Sequence, residues 1–247
     1  DLDLGDVRRT RRVAQVVETL AAAPRASVPE ACGTWAATKA TYRLWDNPAV
    51  SAAAIRAAHA ASTVRRLAGL DTVLVVQDTT ELDLTPQPTR TAAGLPERPT
   101  PRTLHLHSDL VVSLAGVPLG VVAQQHWQRA PDAPGRQTRR QRATAEKESQ
   151  RWLTGLTLGE VAIPETCRVV MVADREADIY DLFAQPRRPR SDWLIRATQD
   201  RRVAVAADAA ASAVAAAPAS LLASLAAAPL AGHTTVTVPR GRGRPAR

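Results

Sequence analysis

Up to about residue 66 the apolar positions recur with the period of a helix, and beyond it they gather into short β-branched runs. Asp6 is placed to cap a first helix in which Val13, Val16, Val17 and Leu20 share a face, while Arg8, Arg9, Arg11 and Arg12 crowd its opening turns. Cations there oppose the helix dipole. Ala23-Pro24 closes this helix. A second stretch from about Thr34 to Trp45 stops at Asp46-Asn47-Pro48, and a third begins at Ser51 and turns Ile55, Ala58, Ser62 and Leu67 inward. Residues 1–66 therefore read as a small all-helical domain.

Thr72 to Gln77 is too short for a helix and apolar enough for a central strand, and it ends at Asp78. Residues 85–103, punctuated by five prolines, read as a loop. Leu110–Leu114 and Pro118–Gln125 form a hairpin across Ala115-Gly116-Val117, followed by a polar loop rich in Pro and Arg. A helical pattern spans 143–156, Arg168–Ala173 is a second buried strand ending in Asp174, Glu176–Ala184 reads as a helix and Trp193–Ala197 as a last strand. Three antiparallel strands followed by alternating helices and parallel strands give a mixed α/β sheet in the element order of the ribonuclease-H-like fold. Residues 67–200 are assigned to that domain. Residues 203–231 are Ala-rich and helical in pattern, with breaks at Pro218 and Pro229, and His233–Val238 alternates as a strand before a basic end, Arg240 to Arg247.

Composition narrows the class. With 45% hydrophobic and 23% charged residues in 247, a real core is within reach. No apolar run approaches the roughly 20 residues that span a bilayer, and no signal peptide opens the chain, so a soluble, intracellular protein without membrane contact is expected. Cys32 and Cys167 lie far apart with no CxxC, and the five His show no HExxH, which removes zinc-finger spacing and a disulfide framework. The net charge of +8 suits a polyanionic partner, yet 30 of the 32 basic residues are Arg and about a fifth of the chain is Ala, as a GC-rich genome would write anywhere. Position has to decide.

Asp78 and Asp174 each close a buried strand, where side chains emerge at the sheet edge into a crevice. In this element order the two strands are neighbours. Paired carboxylates repel unless a divalent cation lies between them. Mg²⁺ or Mn²⁺ meets that need, since hard oxygen ligands leave positions open for substrate phosphates, and two such ions can activate a nucleophile and stabilise the leaving oxygen of a phosphodiester. The plainer alternative is that each Asp only caps the next turn.

Asp174-Arg175-Glu176-Ala177-Asp178-Ile179 resembles the signature around the second catalytic Asp of insertion-sequence transposases of the DDE class. Further segments resemble the same family in the same order: Leu4 to Thr10, Tyr42 to Pro48, Gln77-Asp78-Thr79-Thr80, Glu146-Lys147-Glu148-Ser149 with Trp152, and Arg244-Pro245-Ala246-Arg247. The resemblance spans essentially the whole chain and implies catalytic, metal-binding roles for Asp78 and Asp174. It implies contact of the helical domain with double-stranded DNA at transposon ends, through Arg8, Arg9, Arg12, Lys39, Tyr42, Arg43 and Arg56, and it makes target DNA a further partner of the enzyme in strand transfer. For these residues a solvated helical face is the alternative. Arg196 matches a family Arg near the active site that could bind phosphate, with a salt bridge as its alternative, and Glu146 and Glu148 fit a structural helix face better than the site.

Departures from the family pattern shape the expectation. The third carboxylate, a Glu in a Tyr-Arg-Glu-Lys type motif beyond a β-rich insertion, has no counterpart here, so residues 201–247 read as the start of that insertion. Tyr180 stands where one member of that family carries a His. The chain begins at Asp1 and its one Met is Met171, so an incomplete protein is expected, lacking a few leading residues and the C-terminal dimerisation region. The parent would be a cytoplasmic, nucleoid-associated bacterial transposase acting as a homodimer, cutting and joining DNA at transposon ends, and this chain would be inactive alone. Alternatives are a catalytically dead DNA-binding remnant or regulatory fragment, and a ribonuclease-H-like nuclease without strand transfer.

Overall fold

The computed structural model describes residues 2–84, 103–129, 145, 147–203, 219–233 and 235. The chain divides into two compact units, Asp1–Arg196 and Ala197–Arg247.

In the first unit, helix α1 (Val7–Ala22) starts where Asp6 accepts a hydrogen bond from the Arg9 amide. Val13 and Val16 are buried with Leu44, and Leu20 and Ile55 pack against them. Val17, expected on the same face, is exposed, because the buried stripe is narrower than the apolar one. A short helix not anticipated from the sequence, α2 (Val28–Cys32), carries a capping box between Ser27 and Glu30 and ends at Gly33 in the left-handed conformation that glycine adopts freely. Helix α3 (Trp35–Trp45) is capped by Thr34 and buries Thr38, Thr41 and Leu44. Helix α4 (Ala52–Arg65) is capped by Ser51 and buries Thr63.

The sheet consists of β1 (Thr72–Asp83), β2 (Thr103–Ser113), β3 (Pro118–Trp127), β4 (Arg168–Ala173) and β5 (Ser191–Ile195). Their order is β3-β2-β1-β4-β5, with the first three antiparallel and β4 and β5 parallel to β1. This mixed α/β sheet is compatible with the ribonuclease-H-like architecture. Alternate positions of the central strands are buried: Val73, Val75 and Gln77 on β1, His107, Asp109 and Val111 on β2, Val169, Met171 and Ala173 on β4. Over them lies α5 (Gln150–Ala162), whose Trp152 and Leu156 pack on Met171 and Ala173. Each such fully buried apolar side chain contributes roughly 1.5–3 kcal/mol.

Several boundaries differ from the sequence expectation. β1 does not end at Gln77; it continues to Asp83 paired with β2, while its parallel pairing with β4 stops at Gln77 opposite Ala173. β2 begins at Thr103 rather than Leu110, because its inward positions here are the polar His105, His107 and Asp109. α5 is displaced toward the C-terminus from the expected 143–156, running to Ala162 just before Pro164 and using Gly155 and Gly159 to approach β1. The expected helix 176–184 is broken: Arg175–Ala177 is a 3₁₀ turn, Asp178 leaves helical geometry, and α6 (Tyr180–Ala184) is a single turn. β5 lies two residues earlier than expected.

At the other edge of the sheet α4 covers β3. The Val121 amide donates to His59 Nε2 at 3.1 Å, Arg66 Nη1 donates to the Leu119 carbonyl at 2.9 Å, and Thr63 sits over Gly120, where a Cβ would stand 2.2 Å from its hydroxyl. The side chains of α4 thus occupy backbone groups that an edge strand otherwise leaves unpaired.

In the second unit, β6 (Arg202–Val203) pairs antiparallel with β7 (Ala219–Ser220), and α7 (Leu221–Ala227) follows, so 203 and 219–220 are strand rather than the expected helix. Asp200 fastens this ribbon by accepting from the Ser220 hydroxyl and the Leu222 amide. Most of the expected 203–231 helix and 233–238 strand lies outside the described residues. Among the described residues no helix is long and apolar enough to cross a membrane.

Candidate functional site

Strand β1 loses its parallel neighbour one residue before Asp78, and β4 ends one residue before Asp174. Asp78 and Asp174 occupy the next position on the two neighbouring chains, just beyond the last paired residues, Gln77 and Ala173. Asp174 directly follows its strand as expected. Asp78 is instead inside β1, opposite Ser108, where the strand has become a free edge. Each carboxylate receives one local backbone bond: Asp78 Oδ1 accepts from the Thr79 amide and Asp174 Oδ1 from the Glu176 amide, both at 2.8 Å. Both are exposed and line one cavity of about 140 Å³ with Thr79, Glu81, His105, Trp127, Arg129, Arg151 and Glu176.

The donor set suits a hard cation in part. Two exposed carboxylates lining one cavity match the one or two protein ligands that Mg²⁺ commonly takes, with water and phosphate oxygens completing its shell. Among the described residues no third His, Cys, Asp or Glu joins them closely enough to form a ligand cluster. Glu176 turns aside to Arg151, whose Nη2 lies 2.5 Å from its Oε2.

The crevice also holds two arginines, each paired with a glutamate. Arg151 comes from α5, is 12% exposed, and has its guanidinium carbon 5.5 and 5.4 Å from the Trp127 and Trp152 rings. Its Nε donates to Thr79 Oγ1 at 2.9 Å and its Nη1 to the Glu148 carbonyl at 2.9 Å. Arg129 forms a bidentate pair with Glu148 at 2.6 and 2.7 Å, which holds that carboxyl below its usual range and places Glu148 in an ion pair rather than on a bare helix face. Glu146 lies outside the described residues. The sequence signal for these partners is faint, since the contacts join residues 72 and 25 positions apart.

Beneath the crevice is a buried polar layer. Thr79 Oγ1 lies 2.9 Å from His107 Nδ1, and His107 Nε2 lies 3.9 Å from Asp109 Oδ1. Arg151 and His107 thus meet at the one Thr79 hydroxyl, while His107 Nε2 has no hydrogen-bond partner among the described residues. Burial pushes His107 down to about 4, helped by the Arg151 charge, and pushes Asp109 up to about 7.

The expected DNA-contacting residues fall into four places. Arg8 and Arg12 are exposed on α1, whereas Arg9 is half-buried and donates to the Leu4 carbonyl at 3.0 Å. Lys39, Tyr42 and Arg43 are exposed on the side of α3 away from its buried Thr38, Thr41 and Leu44, with Trp35 exposed at the matching spacing of four and seven residues. The sequence reading passed over Trp35, although this spacing was its signal. Arg56 is set apart from both groups: it is half-buried and lines a groove between α4 and β3 with Ile55, His59 and Val121. Arg196 is exposed immediately after β5, and its amide donates to the Ala173 carbonyl at 3.2 Å, next to Asp174.

The helices that present these cations also carry a family likeness. Residues 1–50, which contain α1, α2 and α3 together with Arg8, Arg9, Arg12, Lys39, Tyr42 and Arg43, match the family model described as transposase DNA-binding. The N-terminal helices are thus a transposase DNA-binding domain, and the role they give the chain is transposase-related DNA binding.

Proposed function

We propose that the chain is part of a DDE-class transposase, in which the N-terminal helices grip transposon-end DNA and the crevice at Asp78 and Asp174 addresses the phosphodiester to be cut and joined. The finer resemblance of its motifs is to the transposase of the bacterial composite kanamycin-resistance transposon. The observation that carries this reading is that Asp78 and Asp174 line one crevice where the parallel pairing of β1 and β4 ends, in a β3-β2-β1-β4-β5 sheet downstream of the matched helices. Asp78 and Asp174 would hold Mg²⁺ or Mn²⁺. Such ions supply Lewis-acid activation of a water or a 3′-hydroxyl and stabilise the leaving oxygen. Arg196, exposed beside Asp174 at the end of β5, brings positive charge to this end of the sheet, where phosphate oxygens would lie, while Arg151 and Arg129 are paired with Glu176 and Glu148. The working form is a homodimer on DNA in the bacterial cytoplasm, with transposon ends and target DNA as partners.

Mn²⁺ binding to the purified chain, followed by electron paramagnetic resonance, tests the crevice: binding lost in Asp78→Asn and in Asp174→Asn supports the reading. Absence of binding, or binding indifferent to both substitutions, overturns it.

The lack of a third ligand among the described residues favours a second reading for the 247-residue chain by itself, binding of DNA without cutting it. A duplex-binding assay run beside a nicking assay in Mg²⁺ separates the two.

A further inference from the structure

Backbone pairing does not hold Asp78 and Asp174 in register, because the β1–β4 ladder stops at Gln77 and Ala173. Something else has to bridge the two chain ends where they part. Each carboxylate is capped by the amide of a nearby residue, Thr79 for Asp78 and Glu176 for Asp174. The side chains of those same two residues are gripped by one guanidinium: Arg151 donates through Nε to Thr79 Oγ1 and through Nη2 to Glu176 Oε2. We propose that Arg151 is a positioning residue that ties the Asp78 and Asp174 segments together and sets the spacing of their carboxylates, an inference that rests on the metal-binding reading of this crevice.

Three features make the grip rigid. The guanidinium lies against the rings of Trp127 and Trp152, its Nη1 is fixed by the Glu148 carbonyl, and its Thr79 partner is itself held by His107. Its donors leave the planar group in separate directions, toward β1, toward the start of α5 and toward the turn after β4, which a lysine ammonium on a flexible stem cannot reproduce together. Arg129, in the same cavity, is paired with Glu148 and reaches neither Thr79 nor Glu176 by any described hydrogen bond.

The clamp and simple charge counting predict opposite signs. Removing a cation beside a cation site should tighten metal binding, whereas releasing the two carboxylate segments should weaken it. Mn²⁺ titration of the full chain is therefore run on wild type, Arg151→Lys and Arg151→Gln, with amide hydrogen exchange at Thr79 and Glu176 measured on the same proteins. Groups that orient metal ligands are worth about 10- to 100-fold in affinity, so Arg151→Lys, with charge kept, should weaken Mn²⁺ by about tenfold and Arg151→Gln by at least as much. In Arg151→Lys the Glu176 amide should exchange several-fold faster at unchanged global stability. Wild-type affinity in Arg151→Lys, tighter binding in Arg151→Gln, or unchanged protection at Glu176 overturns the clamp. If wild type binds no Mn²⁺, the metal reading falls and the exchange rates alone decide whether Arg151 ties the two segments.

Discussion

The bare side of Gly155 on α5 lies against Gln77 on β1, so closely that an added Cβ would stand 2.6 Å from the Gln77 amide nitrogen and 3.0 Å from Asp109 Oδ1. Gly159, one turn on, has more room: its added Cβ would meet Val75 at 3.5 Å and Asp109 at 3.7 Å. In an exposed helix either change to Ala would gain about 1 kcal/mol of helix propensity. At Gly155 the overpacking of a buried layer outweighs that gain, at roughly 1–3 kcal/mol. Urea unfolding should show Gly155→Ala destabilised and Gly159→Ala neutral or stabilised. Equal effects at the two positions would remove the close approach as the reason for the first glycine.

The buried pair His107 and Asp109 gives two opposed pH dependences. Asp109, at about 7 in the folded state against 3.8 for the free group, favours the folded protein at low pH and loses that contribution as pH rises from about 4 to 7. His107, at about 4 against 6.5, contributes fully above 6.5 and loses its contribution as pH falls toward 4. In the wild type the two slopes offset between pH 4 and 6.5. Asp109→Asn should therefore become less stable on acidification through that range, and His107→Gln more stable. Matching pH profiles in the two variants would contradict this.

On the DNA side, Arg8, Arg12, Lys39 and Arg43 are exposed, and each Ala substitution should reduce the slope of log K against log salt by about 0.9 if the side chain neutralises one phosphate. Arg9 behaves differently because it ties down the Leu4 carbonyl. Arg9→Ala should lower the melting temperature of the N-terminal helices as well as the affinity. An unchanged salt slope in all four exposed variants would make this face a solvated surface.

Gly120 has a φ of +139°, and a Cβ there would meet the Thr63 hydroxyl at 2.2 Å. Gly120→Ala should destabilise the protein through strain and displacement of α4, by roughly 1–3 kcal/mol or more. Pairing it with Thr63→Ala removes the clash and leaves the strain, so the double variant should recover part of the loss in a thermal melt. No recovery would place the whole cost in the backbone.

Helices α1, α3 and α4 and the place of Asp174 are legible because they rest on local signals: Asp6, Thr34 and Ser51 as caps, and a β-branched run ending at Asp174. What escaped was decided by packing. Thr103 to Asp109 alternates with its polar residues inward, the inverse of the pattern that announces a half-buried strand, so β2 was read seven residues short. Gly155 and Gly159 weaken a helix locally but let α5 descend onto β1, and only the descent shows why they are there. The Arg151 clamp draws on α5, β1 and the turn after β4, a convergence that no spacing in the chain records.

α4 ends the helical layer and grips the rim of the sheet through His59 and Arg66 on β3. Seen mechanically, it is a strut with one end among the N-terminal helices and the other bolted to an edge. Any load on those helices would be borne first at Leu119 and Val121 as shear along β3, two strands away from the one that carries Asp78.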